Sequence, residues 1–499
     1  VRRGGVAFHD ALQVAAAIAA RAPSSHNCQP WGVGWATDAA TRRTAAALLS
    51  AGEPGGRAAV SPDGRSAGTA AGAPDGRLGG TPDGTPDGAS AGTPDGGSAG
   101  AGAGVPDGRL GGTRDGTPDR APDGTPDRTS AGSGRVPSRR SEYLVLALDR
   151  ARELTALPAH ATEMLLSCGS HGEILARALA AQGWRADGVR LLGPGATGGA
   201  PPFGGDRWPR AWEPLCLLRL SSAPASPGDL AALRETVGAR HTNRGPYRPE
   251  AIDPGVLARL ASSAAESALL RAHPAPGAPV AVRHLVGAPE RAALAELVAR
   301  HGGRDFAHRA AWRETHAYIR RDEAEAARAG DGFTLGQLFG ELSPPRRLGM
   351  RAALAPATMR LLRHAGYDRF LARQLAAAVR RSPAAVALCF DGSDGSDGSG
   401  RPGNPAGPGD FGGLGGRTPD AGSVLRAGAA LAGYWLAATR AGLVLHPVSV
   451  LLQHEDVRDA CERRLALPGR ALFLSRLGYA VTAFPSSHRR SPSHALRRV

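Results

Sequence analysis

At 499 residues the chain is long enough for about three domains of ~150 residues each, yet roughly a quarter of it lacks the large apolar side chains a core needs. All 60 basic residues are arginine, which excludes a Schiff-base or P-loop lysine, and the net charge of +15 comes without an RNP-like aromatic cluster, finger spacing or recognition helix, so nucleic acid is not the expected partner. The five cysteines are widely spaced without CxxC and read as buried small hydrophobes in a reducing cytosol, and no apolar run is long enough for a membrane span or signal peptide, so a soluble cytoplasmic protein is expected.

In chain order, the segment Arg21-Ala-Pro-Ser-Ser-His-Asn-Cys-Gln-Pro-Trp31 follows a helix and is broken by prolines into a turn carrying hydroxyls, amides and an indole. Such a turn suits a heteroaromatic ring. Trp31–Trp35 and Tyr143–Leu148 are short apolar runs that pair as neighbouring strands once the Gly, Pro, Asp and Ser-rich stretch 50–138 is set aside. That stretch repeats Pro-Asp-Gly and cannot offset the entropy of ordering itself, which predicts a disordered insert in a surface loop. It lacks the nine-residue period of a calcium-binding β-roll.

A helix is expected from Ala161 to Gln182, stopped by Gly183, then strands at Val189–Leu192 and Leu215–Leu220. Asp229 caps a helix running to Ala239, just before Arg240-His-Thr-Asn-Arg-Gly-Pro-Tyr247. The two guanidiniums there flank a hydroxyl and an amide, a fork that suits the oxygens of an anion. Further helices are expected at Glu290–Arg300, at Arg309–Ala329 as one piece, and at Pro356–Arg363, followed by a strand at Ala384–Phe390 and a low-complexity surface loop at 391–421. A helix from Ser423 to Arg440 stopped by Gly442, and a strand from Ala471 to Leu477, complete the pattern. Helices around mainly antiparallel strands predict an α+β fold, and no GxGxxG follows a strand, which argues against a Rossmann domain. The fifteen histidines show no HExxH and no clustered ligand spacing, so no metal site is expected.

The pairing of Pro23-Ser-Ser-His-Asn-Cys-Gln-Pro-Trp31 with Arg240-His-Thr-Asn-Arg244 resembles the nitroreductase superfamily of FMN enzymes. With Gly442-Leu-Val-Leu-His-Pro-Val-Ser449 and the tail His488-Arg-Arg490 in this order, it is more closely similar to the Acg-type branch, in which two nitroreductase-like copies are fused. The resemblance implies a pseudo-dimeric chain of two halves, 1–225 and 226–499, each a mainly antiparallel sheet flanked by helices. It also implies one complete FMN site within one chain, since the halves carry complementary motifs. It places Ser24, Ser25 and Asn27 near the pyrimidine edge and ribityl chain, with Pro23 shaping the turn, and makes Gln29 a further cofactor-binding candidate. Arg240, Thr242 and Arg244, with Arg489 or Arg490, would hold the phosphate, and backbone groups of Pro447, Val448 and Ser449 would pass over the ring. The segment Trp312–Gly340 resembles a lid over the flavin.

The residues themselves leave other readings open. Asn27 and Gln29 can simply satisfy a loop backbone, Arg240 and Arg244 can form a solvated face, His241 can be structural, and Trp31 can be core. Three functions follow: an FMN oxidoreductase passing hydride from NAD(P)H to a small electron-poor acceptor, a protein that sequesters FMN beneath a lid, or a tailoring dehydrogenase of a biosynthetic pathway.

Overall fold

The computed structural model describes residues 6–51, 141–192, 203, 205–271, 280–390 and 419–499. All of these fall in one unit, residues 1–56 with 138–499, while a second unit, 57–137, lies outside the described residues. The insert expected at 50–138 and the loop expected at 391–421 therefore fall almost wholly outside them.

Two sheets carry the fold. The first uses β1 (Trp31–Trp35), β2 (Ser141–Asp149), β3 (Trp184–Leu191) and β4 (Trp212–Ser222). The second uses β5 (Val280–Leu285), β8 (Ala384–Phe390), β9 (Leu443–Pro447) and β10 (Arg470–Tyr479). Between β5 and β8 in sequence, β6 (Ile319–Arg320) and β7 (Phe333–Thr334) form a small parallel pair, and β11 (Leu496–Arg498) follows β10. The spatial orders are β11-β1-β2-β4-β3 and β5-β8-β10-β9. Without β11, the two sheets share one plan: an edge strand, the next strand in sequence, then the last strand, then the third.

Each sheet also receives its long helix at the same point, between its second and third strands. Helix Pro158–Ala181 joins β2 to β3, and helix Ala421–Arg440 lies between β8 and β9. Pro158 occupies the first turn, where its missing N–H costs nothing, and Gly183 and Gly442 adopt positive φ just past the two helix ends. The helices cross so closely that a Cβ on Gly169 would lie 2.1 Å from the Leu425 carbonyl oxygen, and one on Gly428 would lie 2.3 Å from that of Leu166. Ser170 Oγ donates to the Gly428 carbonyl at 2.7 Å, which closes the crossing. Around it Leu165, Leu166, Val424, Leu425 and Leu436 join the main core beneath the first sheet.

Several expectations hold in detail. Trp31–Trp35 pairs with β2 antiparallel, Trp31 opposite Leu148 and Trp35 opposite Leu144, although helix Ala39–Ser50 intervenes in the chain. The strand at Ala384–Phe390 is found with those bounds. All five cysteines are buried and unpaired.

Others need correction. The single helix expected from Arg309 to Ala329 is broken into Arg309–Ala317 and Glu323–Ala329, with β6 between. Its helix-favouring composition is overridden because the Tyr318 carbonyl accepts from Phe333 N–H at 2.9 Å, and Asp322 caps the second piece through Glu325 N–H at 2.8 Å. Nor does the sheet structure end at β10. β11 pairs parallel with β1, Val33 opposite Leu496, and so adds a strand from residues beyond the second sheet to the edge of the first.

Candidate functional site

The described residues enclose a cavity of about 1290 Å³. One part of its lining comes from the turn Pro23–Asn27 and from helix Pro158–Ala181, which contributes Thr162, Glu163, Ser167 and Ser170. The turn is unusual in its backbone: His26, Asn27 and Gln29 have φ of 51°, 53° and 52°. Left-handed conformations are uncommon outside glycine and cost free energy, so the surroundings must hold them.

Two chain segments and Arg152 do so. Asn27 Nδ2 donates to the carbonyls of Gly332 (2.8 Å) and His488 (2.9 Å), and its Oδ1 accepts from Arg489. Gln29 Nε2 donates to the Gly330 carbonyl at 2.7 Å, and its Oε1 accepts from Arg490 N–H at 3.1 Å. Asp331 is buried between Arg152 and Arg320, pairing with both, and Arg152 Nε also donates to the Cys28 carbonyl at 2.6 Å. The turn, the segment 330–332 and the segment 488–490 are thereby tied into one knot.

The lining residues from Arg240 onward carry the positive charge. Arg240 is 5% exposed, lies over the Trp435 ring at 4.8 Å and donates to the Arg21 carbonyl at 3.0 Å, but its Nε has no hydrogen-bond partner. Arg489 contributes the second unpartnered guanidinium Nε. Arg244 donates to the Gln337 carbonyl at 3.0 Å and Arg476 to that of Gly245 at 3.1 Å. No carboxylate acts on any of these four groups among the described residues. Burial lowers Arg240 and Arg244 to about 10, and burial with the neighbouring Arg240 and Arg21 lowers Arg489 to about 9. A cluster of buried cations without anions is costly by itself and is relieved by an anionic ligand.

Of the residues expected at the site, Pro23, Ser24, Ser25, Asn27, Arg240, Thr242, Arg244, Pro447, Ser449 and Arg489 line this one cavity. Gln29, Val448 and Arg490 do not. Gln29 and Arg490 sit together behind the turn, beside Trp31 and His171. Val448 is buried in the second core, and its N–H donates to the Leu474 carbonyl at 2.8 Å. Pro447, the last residue of β9, has no N–H, so of the three residues expected to offer backbone donors only Ser449 keeps one for a ligand.

Sequence reasoning passed over Glu163, His26 and Arg476. Ser25 Oγ donates to Glu163 and bonds His26 Nδ1 at 2.8 Å, His26 Nε2 bonds Thr315 Oγ1 at 3.0 Å, and Gln453 Nε2 donates to Glu163 at 2.7 Å. Burial raises the Glu163 carboxyl above its ordinary value and lowers His26 to about 3, the latter aided by His160 and Arg244. A signal was present: Glu163, Ser167 and Ser170 recur at helical spacing on one helix, and Arg476 interrupts the largely apolar run of β10.

The remaining walls come from residues 302–381 and are mainly apolar, with Phe306, Trp312, Ile319, Leu338, Phe370 and Leu371, but Glu341, Arg373 and Arg381 also line them. One small ligand normally fills about 300–1,000 Å³, so this cavity has room for a second ligand beside an anionic one.

The chain is similar to the nitroreductases. It is 29% identical over 338 residues to the probable NAD(P)H nitroreductase PigM of Serratia sp. (strain ATCC 39006), covering 67% of this chain and 79% of that protein. Among solved structures, the FMN-dependent nitroreductase NfnB from Mycobacterium smegmatis, in complex with NADPH, is 16% identical, with 52% of this chain and 94% of that chain covered and a TM-score of 0.28. A nitroreductase-like family protein from Bacillus cereus is 11% identical, with 52% and 91% covered and a TM-score of 0.27. No protein-family model matches. Among the described residues no helix is long and apolar enough to cross a membrane.

Proposed function

We propose that this chain is an FMN-dependent oxidoreductase of the nitroreductase superfamily, in the Acg-type arrangement of two fused copies, each half contributing one wall of a single flavin site. The observation that carries the reading is the cluster of buried guanidiniums lining the cavity, none paired with a carboxylate among the described residues, with Arg240 Nε and Arg489 Nε unpartnered. A terminal monophosphate fits that donor set, since planar forked donors match its oxygens. The repeated sheet plan and the crossing at Gly169 and Gly428 support the fused pair, with the flavin site needing no second chain.

In this reading Arg240, Arg244 and Arg489 hold the phosphate with Thr242, the Ser24–Asn27 turn borders the ring's polar edge, and Ser449 offers a backbone donor. Bound FMN supplies two-electron, hydride-level redox chemistry. The chain's own contribution is to orient, to exclude water behind the segment 330–333, and to aim donors where charge develops. NAD(P)H as donor and a small electron-poor acceptor fit the apolar space left over. A second reading, FMN held beneath a cover with little turnover, draws on the ties that bind Gly330 and Gly332 over the turn.

The purified protein is expected to be yellow and to release FMN, not FAD, at one per chain. Arg244→Ala is expected to weaken FMN binding by roughly 1.5–3 kcal/mol, the loss of one charge-assisted arm. Arg401→Ala, outside the described residues, is the control. A colourless protein that takes up no FMN, or equal affinities in the two variants, would overturn the assignment. Anaerobic addition of NADH or NADPH separates the readings: bleaching marks an enzyme, and its absence marks storage.

A further inference from the structure

His446 on β9 stands directly opposite Arg476 on β10, so both side chains rise from the same face of the sheet. Both line the cavity. Arg476 is 1% exposed, lies over the Tyr247 ring at 4.3 Å, and is fixed by the carbonyls of Ala378 (3.3 Å) and Gly245 (3.1 Å) on its two terminal nitrogens. Its remaining nitrogen, Nε, lies 3.2 Å from His446 Nδ1. A guanidinium has five donors, no acceptor, and does not lose its proton in proteins. Nδ1 of His446 is therefore the acceptor, and the proton of the neutral ring sits on Nε2. The charged groups acting on the ring are Arg476 and Arg244, with Tyr247 against both arginines, and among the described residues no carboxylate acts on it. Burial and the two guanidiniums hold His446 well below the ordinary imidazole range, so it stays neutral at physiological pH.

We infer that His446 presents its Nε2–H into the cavity as a hydrogen-bond donor to a lone-pair acceptor on the redox-active ring of FMN, with Arg476 as the positioning residue that fixes which nitrogen carries the proton. The inference rests on the FMN reading for its ligand and on the β9–β10 geometry for its donor. A neutral donor aimed at an acceptor that gains charge stabilises the charged state without itself needing a proton from solvent. Its presence should therefore favour reduced over oxidised flavin.

The test uses the full chain labelled with [15N]histidine. Two-bond proton–nitrogen correlation spectra should show His446, identified by its loss in His446→Gln, as the Nε2–H tautomer with no titration between pH 5.5 and 8. Adding FMN should shift its Nε2 resonance. The midpoint potential of bound FMN should become more negative in His446→Leu and stay near wild type in His446→Gln, which keeps an N–H donor. In Arg476→Met, checked for folding by circular dichroism, the tautomers should mix. An Nδ1–H tautomer, or a ring that titrates near its ordinary value, overturns the inference in the wild-type protein alone. Bound FMN with an unmoved Nε2 overturns the contact while leaving the FMN reading intact. Failure to bind FMN overturns that reading, and the contact with it.

Discussion

Asn27 carries two loads that experiment can separate. Its side chain joins three segments of chain and props a left-handed backbone, and it also borders the cavity. If the ties are its main work, Asn27→Ala should destabilise the flavin-free protein by about 1–3 kcal/mol in urea unfolding, since buried donors and acceptors lose their partners. A variant that unfolds like wild type yet binds FMN poorly would assign it to the ligand alone. His171 makes a different prediction. It is buried, stacks on Trp31 at 4.6 Å, and burial lowers it to about 3. A depressed pKa means the folded state resists protonation, so this contribution is whole above pH ~6.5 and is lost as pH falls toward 3. His171→Phe, which keeps the ring, should flatten the acid limb by up to ~1.4 kcal/mol per pH unit between pH 6 and 4. Unchanged slopes in denaturation at those pH values would contradict the burial.

Among the elements, the crossing of helices Pro158–Ala181 and Ala421–Arg440 is the most sensitive contact, because carbonyl oxygens occupy the places where side chains would begin. Gly169→Val is expected to lower stability by more than the ~1–3 kcal/mol usual for overpacking, with loss of cavity ligand binding, whereas Gly228→Val, which meets nothing within 4 Å, should leave binding unchanged apart from a small propensity cost. Much of this element scale was legible in the sequence. Helix stops at Gly183 and Gly442, and the apolar run Ala384–Phe390, are local signals, and local signals are what one sequence carries. What stayed hidden depends on distant chain. The break at Tyr318 needs Phe333 as its partner, and β11 has only three residues and finds its strand some 460 positions away at Val33. The site was half legible for the same reason. Arg240, Arg244 and the 23–27 turn announce themselves as short motifs, whereas Glu163 and Arg476 show in the sequence only as polar residues within largely apolar stretches, and it is packing that turns them toward the cavity.

At the scale of the molecule, one chain supplies both walls of the cavity. Mixing a Ser25→Ala, Asn27→Ala double variant with an Arg240→Ala, Arg244→Ala variant should not restore FMN binding; restoration would mean that sites are shared between chains. Joining Ser50 to Ser141 by a short linker should leave FMN content nearly unchanged, because the helix end and the strand start both belong to the unit that forms the cavity. Insoluble or flavin-free protein would show that residues 51–140 are needed.

The pairing of β11 with β1 also orders events in time. Val499 N–H donates to the Trp35 carbonyl at 2.8 Å, and the Val499 carbonyl accepts from Thr37 N–H at 2.8 Å, so residues 496–499 seal the open side of a strand synthesised long before them. A ribosome adds roughly 5–20 residues per second. More than 450 residues separate the two partners, so β1 waits tens of seconds with one row of backbone groups unsatisfied, an invitation to pair with another nascent chain. Crowded polysomes and high expression are thus where this protein is most exposed to misassembly, and slower initiation or a chaperone that shields β1 is expected to raise its soluble yield more than any change at the cavity would.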